Sequence, residues 1–203
     1  MGKKATKTND GLLLPALRGF DERLDAATAE TRVTVFVCGP AVKPLRKGER
    51  QCAASAVRWF VSQSIEKADS IAVLGEHRKF QRVSPMQIRP FFSNADRERT
   101  FARDSDVDLV VIFPSSPGSL AELGIFALEK EIACKMLVII DKKLKRSKGF
   151  VVQAVIRSAK NRKATVSFMD YRHRRKIWNL IEKHLRNVQS IKVTDAYGKA
   201  KRS

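Results

Sequence analysis

The chain is short of acid and of cysteine. Against 40 lysines and arginines it carries only 21 aspartates and glutamates, a formal net charge of +19. Too little acid is present to screen that charge, so a polyanionic partner, RNA or DNA, is expected. The cysteines number three, Cys38, Cys52 and Cys134, an odd and scattered set with no CxxC pair. That excludes a disulfide framework and suits a reducing, cytoplasmic location. HxxxH is missing too, so no zinc site is expected, and no other metal or cofactor is called for. No apolar run approaches the ~20 residues of a membrane helix, and no membrane contact is expected. The start, MGKKATKTND, is basic but lacks the apolar stretch of a secretion signal. Its match to the loose MGxxx[ST] acylation pattern is short and common.

What is present is enough apolar residue, 43% of 203, to bury a core. Runs rich in β-branched residues at 33–38 (VTVFVC), 71–74 (IAVL), 107–113, 135–140 (KMLVII) and 165–169 (TVSFM) predict five strands. The nearly unbroken apolar runs among them read as buried parallel strands. Helical spacing predicts helices at 12–30, 50–67, 91–106, 120–133, 149–160 and 171–187. Strand and helix alternate, so the fold class is α/β: a Rossmann-like, mostly parallel sheet of about five strands with helices on both faces. Residues 1–30 are expected as a polar tail and helix, 31–190 as the α/β domain, and 191–203 as a basic C-terminal tail. The segment between 75 and 94 has no clear period.

In such sheets ligands bind beyond the carboxyl ends of the strands. Two turns fall there. Gly39-Pro40 follows the first strand, and glycine lets the backbone approach a ligand, although CGP is also an ordinary turn. SDVDLVVIFPSSPGSLAELGIFAL, residues 105–128, is the more informative stretch. Its apolar run stops at Pro114, and a turn of small residues, Ser116-Pro117-Gly118-Ser119, leads into a helix starting near Leu120. Free N–H groups at such a helix start can hold an anionic or polyhydroxyl ligand. Glu122 would then stand in the first helical turn beside it. The same residues also read as a capping box, with Ser119 as N-cap and Glu122 three residues on. Glu76, in LGEH after the second strand, is a candidate second acid/base at the same edge, or else a solvated glutamate. His77 beside it would titrate near neutrality. His173 and His184 fall on a surface turn and an amphipathic helix.

VTVFVCGP together with DLVVIFPSSPGSLAELGIFAL and KMLVII resembles the nucleoside 2-deoxyribosyltransferase-like family, part of a wider Rossmann-like group with the SLOG nucleotide-binding proteins. The likeness covers about residues 33–141, and the ELG element after the small-residue turn is its most specific part. The PGS…AELG…F form in a basic chain also resembles effector proteins of bacterial retrons, which are anti-phage systems. The resemblance implies that Glu122 attacks the anomeric carbon of a nucleoside, nucleotide or NAD and cleaves its N-glycosidic bond. It also implies a reverse transcriptase with RNA-linked DNA as partner, and leaves a homo-oligomer open. The transferases carry a base-contacting aspartate six residues before the glutamate; here that position is Ser116. The departure suits a hydrolase, a binding-only descendant or a SLOG-like sensor better than transfer between bases. Of the acidic residues before the third strand, Asp108 lies in the apolar run, where an unpaired carboxylate is costly, and Asp106 at its start.

The positive charge is uneven. From Lys142 to Lys163 there are nine lysines and arginines and no acid. RHRRK at 172–176 and KPLRKGER at 43–50 add further clusters. Lys142, Lys143, Lys145, Arg146, Arg174 and Arg175 are the expected nucleic-acid contacts, made to phosphates, since no base-reading motif is present. Charged runs are more often solvated faces. Phe80, Phe91 and Phe92 beside arginines can stack on bases but fit a core equally well.

Overall fold

The computed structural model describes residues 22, 24, 26–28, 31–42, 52–76, 93–146, 149 and 154–200. The 43–50 basic cluster, His77, Phe80, Phe91, Phe92 and most of the 12–30 helix lie outside them.

The described elements run β1 (Thr34–Cys38), α1 (Ala53–Lys67), β2 (Ile71–Leu74), α2 (Asn94–Arg103), β3 (Leu109–Ile112), α3 (Pro117–Phe126), α4 (Lys130–Ala133), β4 (Met136–Asp141), a 3-10 turn (Lys142–Arg146), α5 (Ile156–Asn161), β5 (Thr165–Met169) and α6 (Arg174–Ala200). The five strands form one sheet in the order β2-β1-β3-β4-β5. Every pairing is parallel, with registers such as Val35↔Ala72, Val35↔Leu109, Val110↔Met136 and Leu137↔Thr165. The expected α/β class is the observed one.

Side chains alternate across the strands, so each apolar run feeds two cores. Val35, Val37, Val111, Leu137 and Ile139 pack under α1 and α6, against Val57, Val61, Ile65, Ile177 and Ile181. Phe36, Val110, Ile112, Val138 and Ile140 pack on the other face against Ala102, Leu123, Phe126, Ile132 and Ile156. The central strands are buried on both faces, whereas β5 is only half-buried or exposed along its length, as befits an edge.

The elements differ from expectation at their ends. The helix predicted over 120–133 begins at Pro117 and breaks at a turn after Phe126; both pieces bury residues on the same sheet face. β3, Leu109–Ile112, is shorter than 107–113; just before it Asp108 turns its carboxylate to the β1 backbone, where Oδ2 accepts from the Thr34 N–H at 2.8 Å. That pairing removes the cost of a carboxylate beside an apolar run. The last helix starts at Arg174, after a turn in which Tyr171 donates to the Ile139 carbonyl at 2.8 Å. It continues to Ala200, through residues whose composition suggested a tail.

Val33–Val188 is one compact unit, and a second combines Met1–Arg32 with Gln189–Ser203. Within the second, Lys192 Nζ donates to the Arg32 carbonyl at 2.8 Å and Val193 is buried.

Candidate active site

A parallel sheet of this strand order reverses direction between β1 and β3, and the loops leaving their carboxyl ends part there to leave a crevice. A cavity of about 330 Å3 occupies that place. Gly39 and Ala41 after β1, Gly75 and Glu76 after β2, and Ser116, Gly118, Ser119 and Glu122 after β3 all line it. Sequence segments far apart are thus brought to one edge. Pro40 and Pro117 do not line the cavity, although both were expected among its contacts. Pro40 offers only its carbonyl to the neighbouring arginine, and Pro117 opens α3 facing outward.

The β1–β2 side is built around Arg58, which was not foreseen. It occupies the apolar stripe of α1, among Ala54, Val61 and Ile65, and is 1% exposed. All five of its N–H groups are engaged. Nε and Nη2 donate to the Val37 carbonyl at 3.2 and 2.8 Å, and Nη1 donates to the Pro40 carbonyl at 3.0 Å. Nη1 and Nη2 grip the two oxygens of Glu76 at 2.5 and 2.7 Å. Val42 N–H adds a third donor to Glu76 at 3.0 Å. Burial alone would raise the Glu76 pKa, but the hydrogen bonds and charge of Arg58 outweigh it and hold the carboxyl below its usual value. Glu76 is therefore neither a solvated glutamate nor suited to proton transfer near neutrality. It is the counter-ion of a buried arginine. Gly39 serves the same clamp. Its φ is +150°, and a Cβ there would stand 3.0 Å from Arg58 Cδ and 3.2 Å from Phe113 Cβ. Glycine is needed at this turn for packing, before any question of a ligand.

The β3 side is the start of α3. Ser116, not Ser119, is the N-cap: its Oγ accepts from the Ser119 N–H at 3.3 Å, and Ser119 Oγ accepts in return from the Ser116 N–H at 2.9 Å. The capping box thus joins these two serines, and Glu122 lies a full turn beyond it. The structural explanation that competed for Glu122 does not apply, because the helix starts three residues earlier than Leu120. Pro at the first helical position and serine before it favour that earlier start. Gly118 borders the cavity, and a Cβ there would meet nothing within 4 Å.

Glu122 Oε2 is buried and has no hydrogen-bond partner among the described residues. Its pKa is pushed up to about 7, first by burial and then by the charge of Glu98, with Arg58 opposing and Glu76 adding. A buried carboxylate oxygen left open is costly and calls for a partner, and a strongly shifted carboxyl in a cleft is a candidate for a functional site. Glu98 and Arg97, on α2, complete the wall and were also missed. The Glu98 carboxyl lies over Gly75, where a Cβ would collide with Oε1. Its pKa is raised by burial, with Arg58 opposing and Glu76 adding. Arg97 Nη1 is, like Glu122 Oε2, buried without a partner among the described residues. Cys38 closes the floor; burial and then Glu122 raise its thiol well above the usual value, which keeps it neutral and unreactive.

One signal in the sequence pointed to these residues. Arg58 falls four residues after Ala54 and three before Val61, inside an apolar stripe, and Glu98 falls four before the buried Ala102. A charged residue on the buried face of a helix needs a partner, and that need is legible in advance.

The basic residues collect at the other half of the same edge. Lys142, Lys143, Lys145 and Arg146 form the 3-10 turn leaving β4, and Arg174 and Arg175 open α6 just after β5, which pairs with β4. All six side chains are exposed. Nearby, Arg172 is paired with Asp170 at 2.6 Å and is not part of the open set. Asp106 and Asp108 precede β3 and so stand at the opposite end of the strands, away from the cavity. Among the described residues no group of three His, Cys, Asp or Glu side chains is placed to hold a metal ion, and no helix is long and apolar enough to cross a membrane.

The fold and the cavity together define a parallel α/β protein with a carboxylate site at the β1/β3 crevice. Residues 96–202, more than half the chain, match the model of the STM3845 retron effector protein family, and the chain belongs to that family. The matched stretch contains Arg97, Glu98, the α3 turn, Glu122 and the basic edge. The chain is also similar to an Escherichia coli protein named "Retron Ec86 putative ribosyltransferase/DNA-binding protein", with 26% identity over 134 residues. That alignment takes in 64% of this chain but only 38% of the relative.

Proposed function

We propose that this retron effector cleaves the N-glycosidic bond of a nucleoside, nucleotide or NAD at the β1/β3 crevice, with Glu122 as nucleophile. The observation that carries the reading is the buried, unpartnered Oε2 of Glu122 in a cavity of small-ligand size. In the reaction the C1′–N bond breaks and its electron pair leaves with the base. The carboxylate of Glu122 opposes the positive charge that grows on C1′ and the ring oxygen, and bonds to C1′. Water then displaces it, leaving a hydroxyl on C1′ while its proton compensates the departing base. Ser116 in place of the transferases' aspartate removes the contact that would hold an incoming base, so water is the acceptor. The name of the Escherichia coli relative, a ribosyltransferase/DNA-binding protein, is in keeping with this chemistry and with the likeness to nucleoside 2-deoxyribosyltransferases.

A second activity has its own support. The exposed lysines and arginines beyond β4 and β5 fit a phosphate backbone. In a retron effector that polyanion is the RNA-linked DNA made by the system's reverse transcriptase, which would hold the effector in check.

Base release followed by chromatography over a panel of nucleosides, nucleotides and NAD tests the first reading. Glu122→Gln keeps the size and removes the charge, and should lower the rate on the order of 10⁴- to 10⁶-fold, the scale seen when one member of a catalytic unit is lost. The variant should melt no lower than the parent, because no cap depends on Glu122. Undiminished release by this variant would exclude Glu122.

A further inference from the structure

Two polar atoms on the cavity wall have no partner among the described residues, Arg97 Nη1 and Glu122 Oε2, and both are buried. They are of opposite character, yet they do not satisfy each other. Arg97 has an N–H to give, best met by an anionic oxygen. Glu122 has an acceptor to offer, best met by a hydroxyl or by an electron-poor carbon. A molecule that carries an anion at one point and a hydroxyl or electron-poor carbon at another, as a phosphorylated sugar does, closes both.

The rest of the cavity assigns the anion to Arg97. Arg58, the other arginine on the wall, spends all five N–H groups on Glu76 and on two carbonyls, and has none to spare. Asn94, the first residue of α2, and Gly118, in the first turn of α3, both line the cavity, so two ten-residue helices present their N-termini to it. The positive ends of helices favour phosphate. Of the three carboxyls on the wall, Glu76 is neutralised by Arg58; Glu98 and Glu122 are left to face the uncharged sugar and base. A volume of about 330 Å3 is near the lower bound of small-molecule pockets, about 300 Å3. That is room for one nucleotide unit.

We infer that the site takes a 5′-phosphorylated nucleotide in preference to a free nucleoside, with Arg97 seating the phosphate of the same sugar whose C1′ faces Glu122. This rests on the role of Glu122 proposed above and narrows its substrate class.

Calorimetric titration of the full-length Glu122→Gln protein decides it. The probes are AMP, CMP, GMP, UMP and nicotinamide mononucleotide, each set against its own nucleoside. At least one phosphorylated member should bind tighter than its nucleoside by about 10- to 100-fold, the worth of a charge-assisted hydrogen bond. Adding Arg97→Met should collapse that ratio toward one, and Arg97→Lys, which keeps the charge but not the fork, should restore part of it. Equal affinities within every pair, a ratio untouched by Arg97→Met in a protein of unchanged melting temperature, or no binding by any probe would each overturn the inference. Should Arg97→Met fail to fold, the pairwise ratio and Arg97→Lys still decide. Base release by the unmutated protein separates the two claims. Arg97-dependent nucleotide binding without release from any probe keeps the phosphate seat and sinks glycosidic cleavage. Release from nucleosides as fast as from nucleotides keeps cleavage and sinks the seat.

Discussion

The carboxyl edge of the sheet holds two regions that use charge in opposite ways. Beyond β1, β2 and β3, arginine and glutamate are drawn inward, and Arg58 and Glu76 are locked together. Beyond β4 and β5, six basic side chains stand in solvent, and among the described residues none of them forms an ion pair with an acidic side chain. The inward region has few charges, each with a defined role: a clamp in Arg58 and Glu76, an open donor in Arg97, an open acceptor in Glu122. The outward region has many, interchangeable by position. Burial is what separates them. A charge taken out of water must find a particular partner or remain poised for one, whereas an exposed charge acts by sum and is screened by salt.

The largest expected effect breaks the inward region. Arg58→Met leaves the half-buried Glu76 without its counter-ion and two carbonyls without donors, and should cost up to about 3–5 kcal/mol, the penalty for breaking a fully buried pair. Urea denaturation measures it. A loss close to that of an exposed arginine would mean that the clamp is not what holds the β1 and β2 loops. Glu76→Gln, which keeps some of the hydrogen bonds, should cost less.

The next effect sharpens the account of Glu122. Its carboxyl is raised from 4.5 to about 7 in the folded chain. Below pH 4.5 it is protonated folded or unfolded and has no effect on stability. From there to about 7 the unfolded chain gives up its proton first, so stability falls as pH rises, and the penalty persists above. Glu98 tilts in the same direction. Glu122→Gln should flatten this decline in a series of urea melts across pH. As a nucleophile Glu122 must be ionised, so kcat/KM should climb about tenfold per pH unit below 7 and level off above. A rate that instead falls through pH 7 would make Glu122 the proton donor.

The smallest effect belongs to the outward region. Reversing Lys142, Lys143, Lys145, Arg146, Arg174 and Arg175 to Glu should weaken RNA or DNA binding. It should also flatten the salt slope by roughly 0.9 for each duplex phosphate no longer neutralised. The change should be much the same for every nucleic-acid sequence. The fold should hold, because these side chains are exposed, and base release should persist. Salt-independent binding by the parent protein would dissolve the contrast between the two regions.

Much of this was legible in advance, for particular reasons. IAVL at 71–74 and TVSFM at 165–169 are strands with the predicted bounds, since β-branched runs between turns have few other uses. The breaking of the 120–133 helix was not legible: the apolar spacing continues through the turn after Phe126, and only packing against the sheet decides where the chain bends. The place of the basic edge followed from strand order, as β4 and β5 are neighbours and the residues after them share a border. Glu76 was found but misread, because its partner Arg58 sits 18 residues away on another element.

By itself, then, the sequence determined the α/β class, the strands, the small-residue turn before Glu122 and the excess of positive charge. These are matters of composition and local period, written within a few residues of one another. Only the tertiary structure decided that Ser116 caps α3, that Glu76 belongs to Arg58, and that Arg97, Glu98 and Glu122 meet in one cavity. Burial and pairing depend on what the fold brings alongside, and the residues concerned are separated by whole elements of the chain.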